Sequence, residues 1–266
     1  MLAVRWIAVP LSMLFWATCV LIVIAWTPLM AVARLVTRGS DPDRYRIGRL
    51  FHDTAVWAVR LNPFWKFRVV QEFRPDPRRP YLFVANHVSN ADVFLLAMLP
   101  WEMKWLSKQS IFDIPLLGWQ MGMAGDVPLV RGDKGSGRQA IEALRAHLKR
   151  KVSVLVFPQG TRGEEGAVGS FREGAFRLAI EEQADVVPLA VFGTERALPR
   201  HSLMLRPGEA TVTVLPPVPV AGMGVADAPR LAETVRSRIE ESVVRSRHAG
   251  VTRRVERAPV RRRQDA

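Results

Sequence analysis

One histidine and one aspartate, His87 and Asp92, have a spacing that could serve acid–base chemistry. On one continuous helix, five residues would turn the two side chains about 140° apart. They can therefore meet only if His87 precedes a helix that Asp92 begins. The carboxylate could then accept a hydrogen bond from the imidazole and fix its tautomer. A neutral histidine held in this way could take a proton from a hydroxyl group. For this motif alone, a surface histidine beside a helix-start aspartate is the alternative.

A second segment, Phe157-Pro-Gln-Gly-Thr-Arg162, follows an apolar run and has the residue types of an anion site. Gly160 can adopt positive φ and let backbone N–H groups converge on an anion. Thr161 adds a hydroxyl donor, and Arg162 adds a planar guanidinium that fits a phosphate. Arg131 comes at the end of another predicted strand, where open α/β sheets bind ligands. A polar turn and an ordinary surface arginine are the alternatives.

The class of reaction follows from what accompanies these residues. The sequence has no Gly-x-Ser-x-Gly nucleophile motif, which favours direct transfer to a hydroxyl over a covalent acyl-enzyme. The single cysteine, Cys19, excludes an intramolecular disulfide and lies in an apolar run, where packing is its expected role.

The elements around these motifs predict an α/β fold, with a central mixed sheet flanked by helices. Short apolar runs predict strands, and amphipathic or helix-favouring segments alternate with them. The predicted strands are 67–72, 81–85, 127–130, 152–157, 186–192 and 210–215. The predicted helices are 91–99, 114–123, 137–149, 172–182 and 228–244.

The charge balance indicates a polyanionic surface as a partner. The formal net charge is +13, and eight arginines against two acids lie between Arg245 and the end of the chain. Nucleic acid and an anionic lipid surface both attract such a protein, so charge alone does not choose between them. The N-terminal segment favours lipid, and no nucleic-acid partner is expected.

That N-terminal segment carries no charge from Trp6 to Ala33, which is 28 residues. A helix of this length exceeds the ~30 Å hydrocarbon core of a bilayer. We therefore predict a membrane helix at residues 1–35, or a hairpin, because Pro10 and Pro28 could break it. A cleaved signal peptide is the alternative, but the apolar stretch is about twice the usual length. Arginines following the segment place the rest of the chain on the cytoplasmic side of an inner membrane.

The remaining chain divides into three parts. Residues 36–65 are expected to form an amphipathic connecting segment, either in the bilayer interface or packed on the domain. Residues 66–244 are expected to form the catalytic domain. Residues 245–266 are expected to be a disordered basic tail, either bound to anionic lipid or solvated.

Several blocks, in this order, resemble the glycerolipid acyltransferase family of the 1-acyl-sn-glycerol-3-phosphate acyltransferase type. The resemblance covers residues 81–192. In that family the histidine matching His87 is the base and the aspartate matching Asp92 its partner. The blocks are Asn86-His87-x4-Asp92, the segment 104–119, the segment ending at Arg131, Phe157-Pro-Gln-Gly-Thr-Arg162, Phe171-Arg-Glu-Gly174 and Val187-Pro188.

The resemblance implies an acyl donor on coenzyme A or acyl carrier protein, lysophosphatidic acid as acceptor, and no bound metal or cofactor. It also implies that Arg131, Gln159, Gly160, Thr161 and Arg162 bind the acceptor. Lys104 and Lys108 could contribute to holding a phosphate. Gln159 stands where the family usually has glutamate, which puts the identity of the acceptor in question.

Three other functions remain open at this point. One is the same chemistry on another lysophospholipid or on an ornithine-type lyso-lipid. Another is an inactive membrane-tethered adaptor. The third is a metal-dependent phosphohydrolase with His87 and Asp92 as ligands, which would need more nearby His and Asp residues than the sequence offers.

Overall fold

The computed structural model describes residues 2–162 and 168–256, with side chains described for residues 8–162 and 168–248. The strands within these residues form one seven-stranded sheet. In chain order they are β1 (Trp65–Gln71), β2 (Leu82–Ala85), β3 (Lys104–Lys108), β4 (Val127–Leu129), β5 (Val154–Val156), β6 (Val186–Phe192) and β7 (Gly208–Val214).

The sheet is mixed, as predicted. The strand order is β1-β7-β6-β2-β5-β3-β4. All neighbouring strands are parallel except β6 and β7, so β1 and β7 run against the other five. The carboxyl ends of β2, β4, β5 and β6 therefore lie at the same edge of the sheet.

Helices cover both faces, which confirms the predicted layers. They are α1 (Leu2–Val36), α2 (Tyr45–Arg60), α3 (Asp92–Leu96), α4 (Gln109–Phe112), α5 (Leu117–Ala124), α6 (Lys134–Lys149), α7 (Gly174–Glu181), α8 (Thr194–Ala197) and α9 (Ala228–Glu256).

Alternate residues of the central strands enter two separate apolar cores. In β2, Phe83 packs in a core with helices α1, α2 and α3, whereas Leu82 and Val84 pack with α6, α7 and α9. In β5, Leu155 belongs to the first core. Burial on both faces explains why these strands are continuous apolar runs in the sequence.

One strand was absent from the sequence-based assignment. Strand β3 has the sequence Lys-Trp-Leu-Ser-Lys, in which lysines flank the apolar residues. It lies between β5 and β4, and Lys104 is completely buried there. A strand that is buried on both faces is usually an apolar run. A strand that begins with a buried lysine is therefore not detected from hydrophobic periodicity. The helix predicted over 114–123 is present as α5, which begins at Leu117 rather than at Ile114, whereas α4, which ends at Phe112, was not predicted.

The N-terminal segment is one continuous helix rather than a hairpin, although Pro10 and Pro28 lie inside it. Its stretch Ala8–Val36 is long and apolar enough to cross a membrane, and only 11% of the most apolar window is buried. Helix α2 packs against α1 and α5 and buries Ile47 and His52. The connecting segment is therefore packed on the domain.

The basic end of the chain also differs from expectation. Helix α9 continues past Arg245 to Glu256, so the first part of the predicted disordered tail is helical. Residues 257–266 lie outside the described part. The division into domains at 35, 65 and 244 stays a prediction.

Candidate active site

The loop after β2 carries the histidine and is fastened to β6. Asn86, the first residue of this loop, is buried. Its side-chain amide donates to the carbonyl oxygen of Val191 at 2.9 Å, and its oxygen accepts from the N–H of Val191 at 2.8 Å. This paired contact fixes the start of the loop, so His87 leaves the sheet at a defined point on its carboxyl edge.

Asp92 begins α3, and its carboxylate is completely buried. Oδ2 lies 2.6 Å from Nδ1 of His87. The same oxygen accepts from the N–H groups of Val88 at 2.8 Å and Ser89 at 3.0 Å. Oδ1 accepts from the hydroxyl of Thr194 at 2.5 Å. Four donors thus hold the carboxylate, and the turn between His87 and α3 closes around it.

Contacts with Asp92 and Phe157 orient the imidazole of His87. In the tautomer that donates Nδ1–H to Asp92, Nε2 carries no proton and can act as a base. The ring lies 4.4 Å from that of Phe157, centroid to centroid. The side chain keeps 13% exposure, so a substrate hydroxyl can reach it. The predicted meeting of His87 and Asp92 is present, while the catalytic role of the pair stays a prediction.

The segment Phe157–Arg162 follows β5 at the same edge of the sheet. Gln159 connects it to the histidine loop, because its Oε1 accepts from the N–H of His87 at 2.7 Å. Gly160 has φ +71°, which confirms the conformation that its sequence position suggested.

Three arginines lie close enough beside this turn to influence one another electrostatically. A Cβ atom on Gly160 would lie 3.0 Å from the guanidinium carbon of Arg172, and the N–H of Arg172 donates to the oxygen of Pro158. Burial and the charges of Arg172 and Arg162 lower the pKa of Arg131. None of the three forms an ion pair within the residues that the structure describes. Three guanidinium groups near one another suit a phosphate.

A part of the chain that includes His87, Asp92 and Gln159 matches a known protein family. Residues 66–192 match the family model described as Acyltransferase. The chain is 36% identical over 206 residues to the 1-acyl-sn-glycerol-3-phosphate acyltransferase LPAT1, chloroplastic, of Arabidopsis thaliana, which covers 76% of this chain and 56% of that protein. Residues 66–192 therefore form an acyltransferase domain.

Other relatives of this acyltransferase domain include 1-acyl-sn-glycerol-3-phosphate acyltransferase alpha of Homo sapiens. It is 29% identical over 217 residues, which is 80% of this chain and 75% of the human protein. The chain spans a little over half of the Arabidopsis and Brassica napus relatives, 56% and 58%. The crystal structure of PlsC from Thermotoga maritima, a 1-acyl-sn-glycerophosphate acyltransferase, has a TM-score of 0.75 at 22% identity. It covers 93% of this chain and 98% of that chain, and it shows that the fold is shared.

One expectation about the acyltransferase site is wrong. Lys104 lies at the amino end of β3, away from the edge that carries His87. Its ammonium group is 2.8 Å from Glu102 and donates to the carbonyl oxygen of Arg44 at 2.8 Å. Because the side chain is completely buried, it cannot bind a substrate phosphate. Lys108, at the carboxyl end of the same strand, is exposed.

Sequence reasoning also missed two residues of the acyltransferase site. Arg172 was part of the resemblance but was not counted as a binding residue, although it packs on Gly160. Thr194 lies 102 residues from the aspartate it contacts, and no local pattern signals that contact. Among the described residues, no group of three or more His, Cys, Asp or Glu side chains could hold a metal ion.

Proposed function

We propose that this chain transfers a fatty acyl group from a thioester to the sn-2 hydroxyl of 1-acyl-sn-glycerol-3-phosphate, giving phosphatidic acid. The observation that carries the proposal is the buried Asp92 carboxylate, 2.6 Å from His87, at the edge of the sheet where three arginines lie near one another. The names of the relatives supply the acceptor and the direction of the reaction.

In the proposed reaction, Nε2 of His87 takes the proton as the acceptor oxygen attacks the thioester carbonyl carbon. The C–S bond then breaks, and the departing thiolate receives the same proton from the imidazolium. The products are an ester and a free thiol, so the enzyme ends as it began. Asp92 stabilises the imidazolium that forms between the two steps. General-base catalysis of this kind contributes about 10²–10⁴ in rate.

The acceptor phosphate is proposed to bind Arg131, Arg162 and Arg172, together with the N–H groups near Gly160 and the hydroxyl of Thr161. Guanidinium groups bind phosphate through paired hydrogen bonds. A phosphate held beside Gly160 is one residue from Gln159, which contacts the backbone of His87. The hydroxyl of the bound glycerol phosphate is therefore expected to lie near the imidazole of His87. The donor carrier is coenzyme A or acyl carrier protein.

Helix α1 is proposed to hold the enzyme at the membrane that contains its lipids, the cytoplasmic face of an inner membrane. The helix is fastened to the domain along several turns. Trp16 Nε1 donates to the oxygen of Leu203 at 2.8 Å, and Gln120 donates to the oxygen of Val23 and the hydroxyl of Thr27, both at 2.8 Å. A helix bound in this way lies along the domain, so we infer that it enters one leaflet with its exposed apolar face.

The direct test is an assay of the purified full chain in detergent with lysophosphatidic acid and either oleoyl-coenzyme A or oleoyl-acyl carrier protein. Formation of phosphatidic acid that is lost in His87→Ala supports the proposal. Phosphatidic acid formed equally by His87→Ala would contradict the role of the histidine. Binding of lipid without any acyl transfer would point to a membrane adaptor instead.

A second acceptor remains a candidate because of Gln159. Glutamine keeps the hydrogen bond to His87 but removes a negative charge from the acceptor site. The same assay with a panel of lysophospholipids and a lyso-ornithine lipid separates the two candidates. The acceptor with the higher kcat/KM is the substrate.

A further inference from the structure

The segment that runs from α4 into α5, residues 111–119, exposes several apolar side chains. Ile111 is 38% exposed, Ile114 is 47% exposed and Trp119 is 66% exposed. Single exposed apolar residues are common on protein surfaces, whereas a cluster in one short segment marks a contact with a partner or a membrane. We call residues 111–119 the apolar turn.

A close backbone approach gives the apolar turn a defined shape. The N–H of Gly118 donates to the carbonyl oxygen of Ile114 at 2.8 Å. A Cβ atom on Gly118 would lie only 1.7 Å from the carbonyl oxygen of Phe112, so no other residue fits there without a shift of the backbone. Leu116 has φ +65°, which is uncommon for a residue with a side chain. The turn is therefore a specific conformation that leaves its apolar residues outside the core.

The apolar turn lies beside the exposed apolar face of α1. Gln120, the residue after Trp119, is completely buried. Its side-chain amide donates to the carbonyl oxygen of Val23 and to the hydroxyl of Thr27, both at 2.8 Å. Ile24, the residue after Val23, is 50% exposed. Because Gln120 fixes α5 to this part of α1, the exposed surface of the turn continues that of the helix.

The apolar turn also follows the edge of the sheet that carries His87. Strand β3 is parallel to β4 and β5, so its carboxyl end lies at the edge from which Arg131 and the segment Phe157–Arg162 emerge. Helix α4 begins directly after that end, beside the exposed Lys108. Continuity with α1 and this position near the proposed lipid acceptor site favour a bilayer over a protein partner.

We propose that the apolar turn is a second membrane contact, which inserts Ile114 and Trp119 into the bilayer interface beside α1. The inference rests on the membrane attachment proposed for α1 and does not depend on acyl transfer. Tryptophan prefers the level between headgroups and acyl chains, and Lys108 supplies a cation for lipid phosphates. Asp113, the single charged residue of the turn, accepts from the side chain of Gln109 at 2.9 Å. Its carboxylate limits the insertion to the interface.

The test places a fluorophore on single cysteines of the full chain in vesicles of phosphatidylcholine and phosphatidylglycerol. Cys19, the one native cysteine, is first replaced by alanine. Ile114→Cys probes the apolar turn, and Leu21→Cys probes α1, where Leu21 is 65% exposed. Val225→Cys is the matched control, because Val225 is an apolar residue with 43% exposure. It lies in a short helix that packs with α7 and α9, on the other face of the sheet.

We expect a blue shift and quenching by nitroxides on the lipid acyl chains at positions 114 and 21, and neither effect at position 225. Adding Trp119→Glu should reduce the quenching at position 114, since a carboxylate resists insertion. It should leave the quenching at position 21 unchanged. Circular dichroism checks that each labelled variant is folded.

The other outcomes would overturn the proposal in distinguishable ways. Quenching at position 21 alone would show that α1 enters the bilayer without the turn. Quenching at neither position would contradict the attachment through α1 as well. Equal quenching at position 225 would remove the specificity of the contact. A blue shift at position 114 without quenching would mean that a second copy of the chain or a bound acyl chain covers the turn. Because no measurement uses acyl transfer, each of these results leaves the proposed reaction to its own test.

Discussion

The backbone N–H of His87 donates a 2.7 Å hydrogen bond to Oε1 of Gln159, 72 residues later in the chain. This bond joins the histidine loop after β2 to the glycine turn after β5. The proposed base and the proposed phosphate site therefore share one rigid connection. Gln159 supplies an oxygen acceptor, as glutamate would, so the change from the usual family residue preserves this contact and alters only the charge.

Substitutions at Gln159 should separate the effect of its hydrogen bond to His87 from the effect of its missing charge. In Gln159→Ala the N–H of His87 loses its acceptor, which costs about 1–3 kcal/mol of stability. Gln159→Glu keeps the acceptor, and we expect its melting temperature to match that of the parent. Thermal unfolding and kcat/KM for lysophosphatidic acid provide the measurements. An alanine variant as stable and as active as the glutamate variant would show that the bond is unimportant.

Replacing His87 by alanine should lower kcat/KM by about 10²–10⁴ without unfolding the protein. The side chain is part of no apolar core and is 13% exposed. His201→Ala is the control, because His201 is exposed and lies outside the site. Phosphatidic acid formation and circular dichroism check the two expectations. A similar loss of activity in both variants would argue against a specific role for His87.

Arg172 should contribute to acceptor binding more than its neighbours on α7. Loss of a charged hydrogen bond to phosphate is worth about 1.5–3 kcal/mol, so Arg172→Ala should raise KM for lysophosphatidic acid about tenfold or more. Arg177→Ala is the matched control, since Arg177 is exposed and pairs with Glu173 at 2.9 Å. Equal KM values in the two variants would remove Arg172 from the acceptor site.

A buried carboxyl group at the amino edge of the sheet should make stability depend on pH. Burial, the largest cause, raises the pKa of Asp126 to about 6. The folded state therefore binds more protons than the unfolded state between about pH 4 and 6, and stability contributed by this group falls as pH rises through that window. Asp126→Asn keeps an oxygen for the N–H of Trp105 and removes the titration.

The variant should therefore be more stable than the parent above pH 6, by on the order of 2 kcal/mol. The difference should disappear toward pH 4. Urea unfolding at several pH values measures both quantities. A constant difference across the range would show that Asp126 does not titrate in this window.

The position of α1 predicts the side of the membrane on which the N-terminus lies. A helix fastened to the domain from Trp16 to Thr27 enters one leaflet, so tags at the two ends of the chain should be accessible from the same side. A helix that spans the bilayer would place them on opposite sides. Protease protection of both tags in inside-out and right-side-out vesicles separates these outcomes. Gln120→Leu, which removes the bonds to Val23 and Thr27, tests whether these contacts hold the helix on the domain.

The amino-acid sequence determined much of the fold, because burial on both faces makes central strands apolar and surface helices amphipathic. The runs around residues 82–85, 154–156 and 186–192 were assigned correctly for that reason. Strand β3 was missed because its first lysine is buried, where it donates to the carbonyl oxygen of Arg44, 60 residues earlier in the chain. The burial of this polar residue depends on the tertiary structure, which the local sequence does not show.

The sequence alone also identified the residue types of the site: a histidine, an aspartate at a helix start, a glycine turn and several arginines. Spacing required that His87 and Asp92 lie in a loop and a helix start. Only the tertiary structure brought Thr194 to Asp92 and Gln159 to His87, across 102 and 72 residues. It also buried Lys104 and turned Arg172 onto Gly160. Local pattern encodes backbone conformation, whereas the contacts that orient reacting groups depend on strand order, which no local pattern specifies.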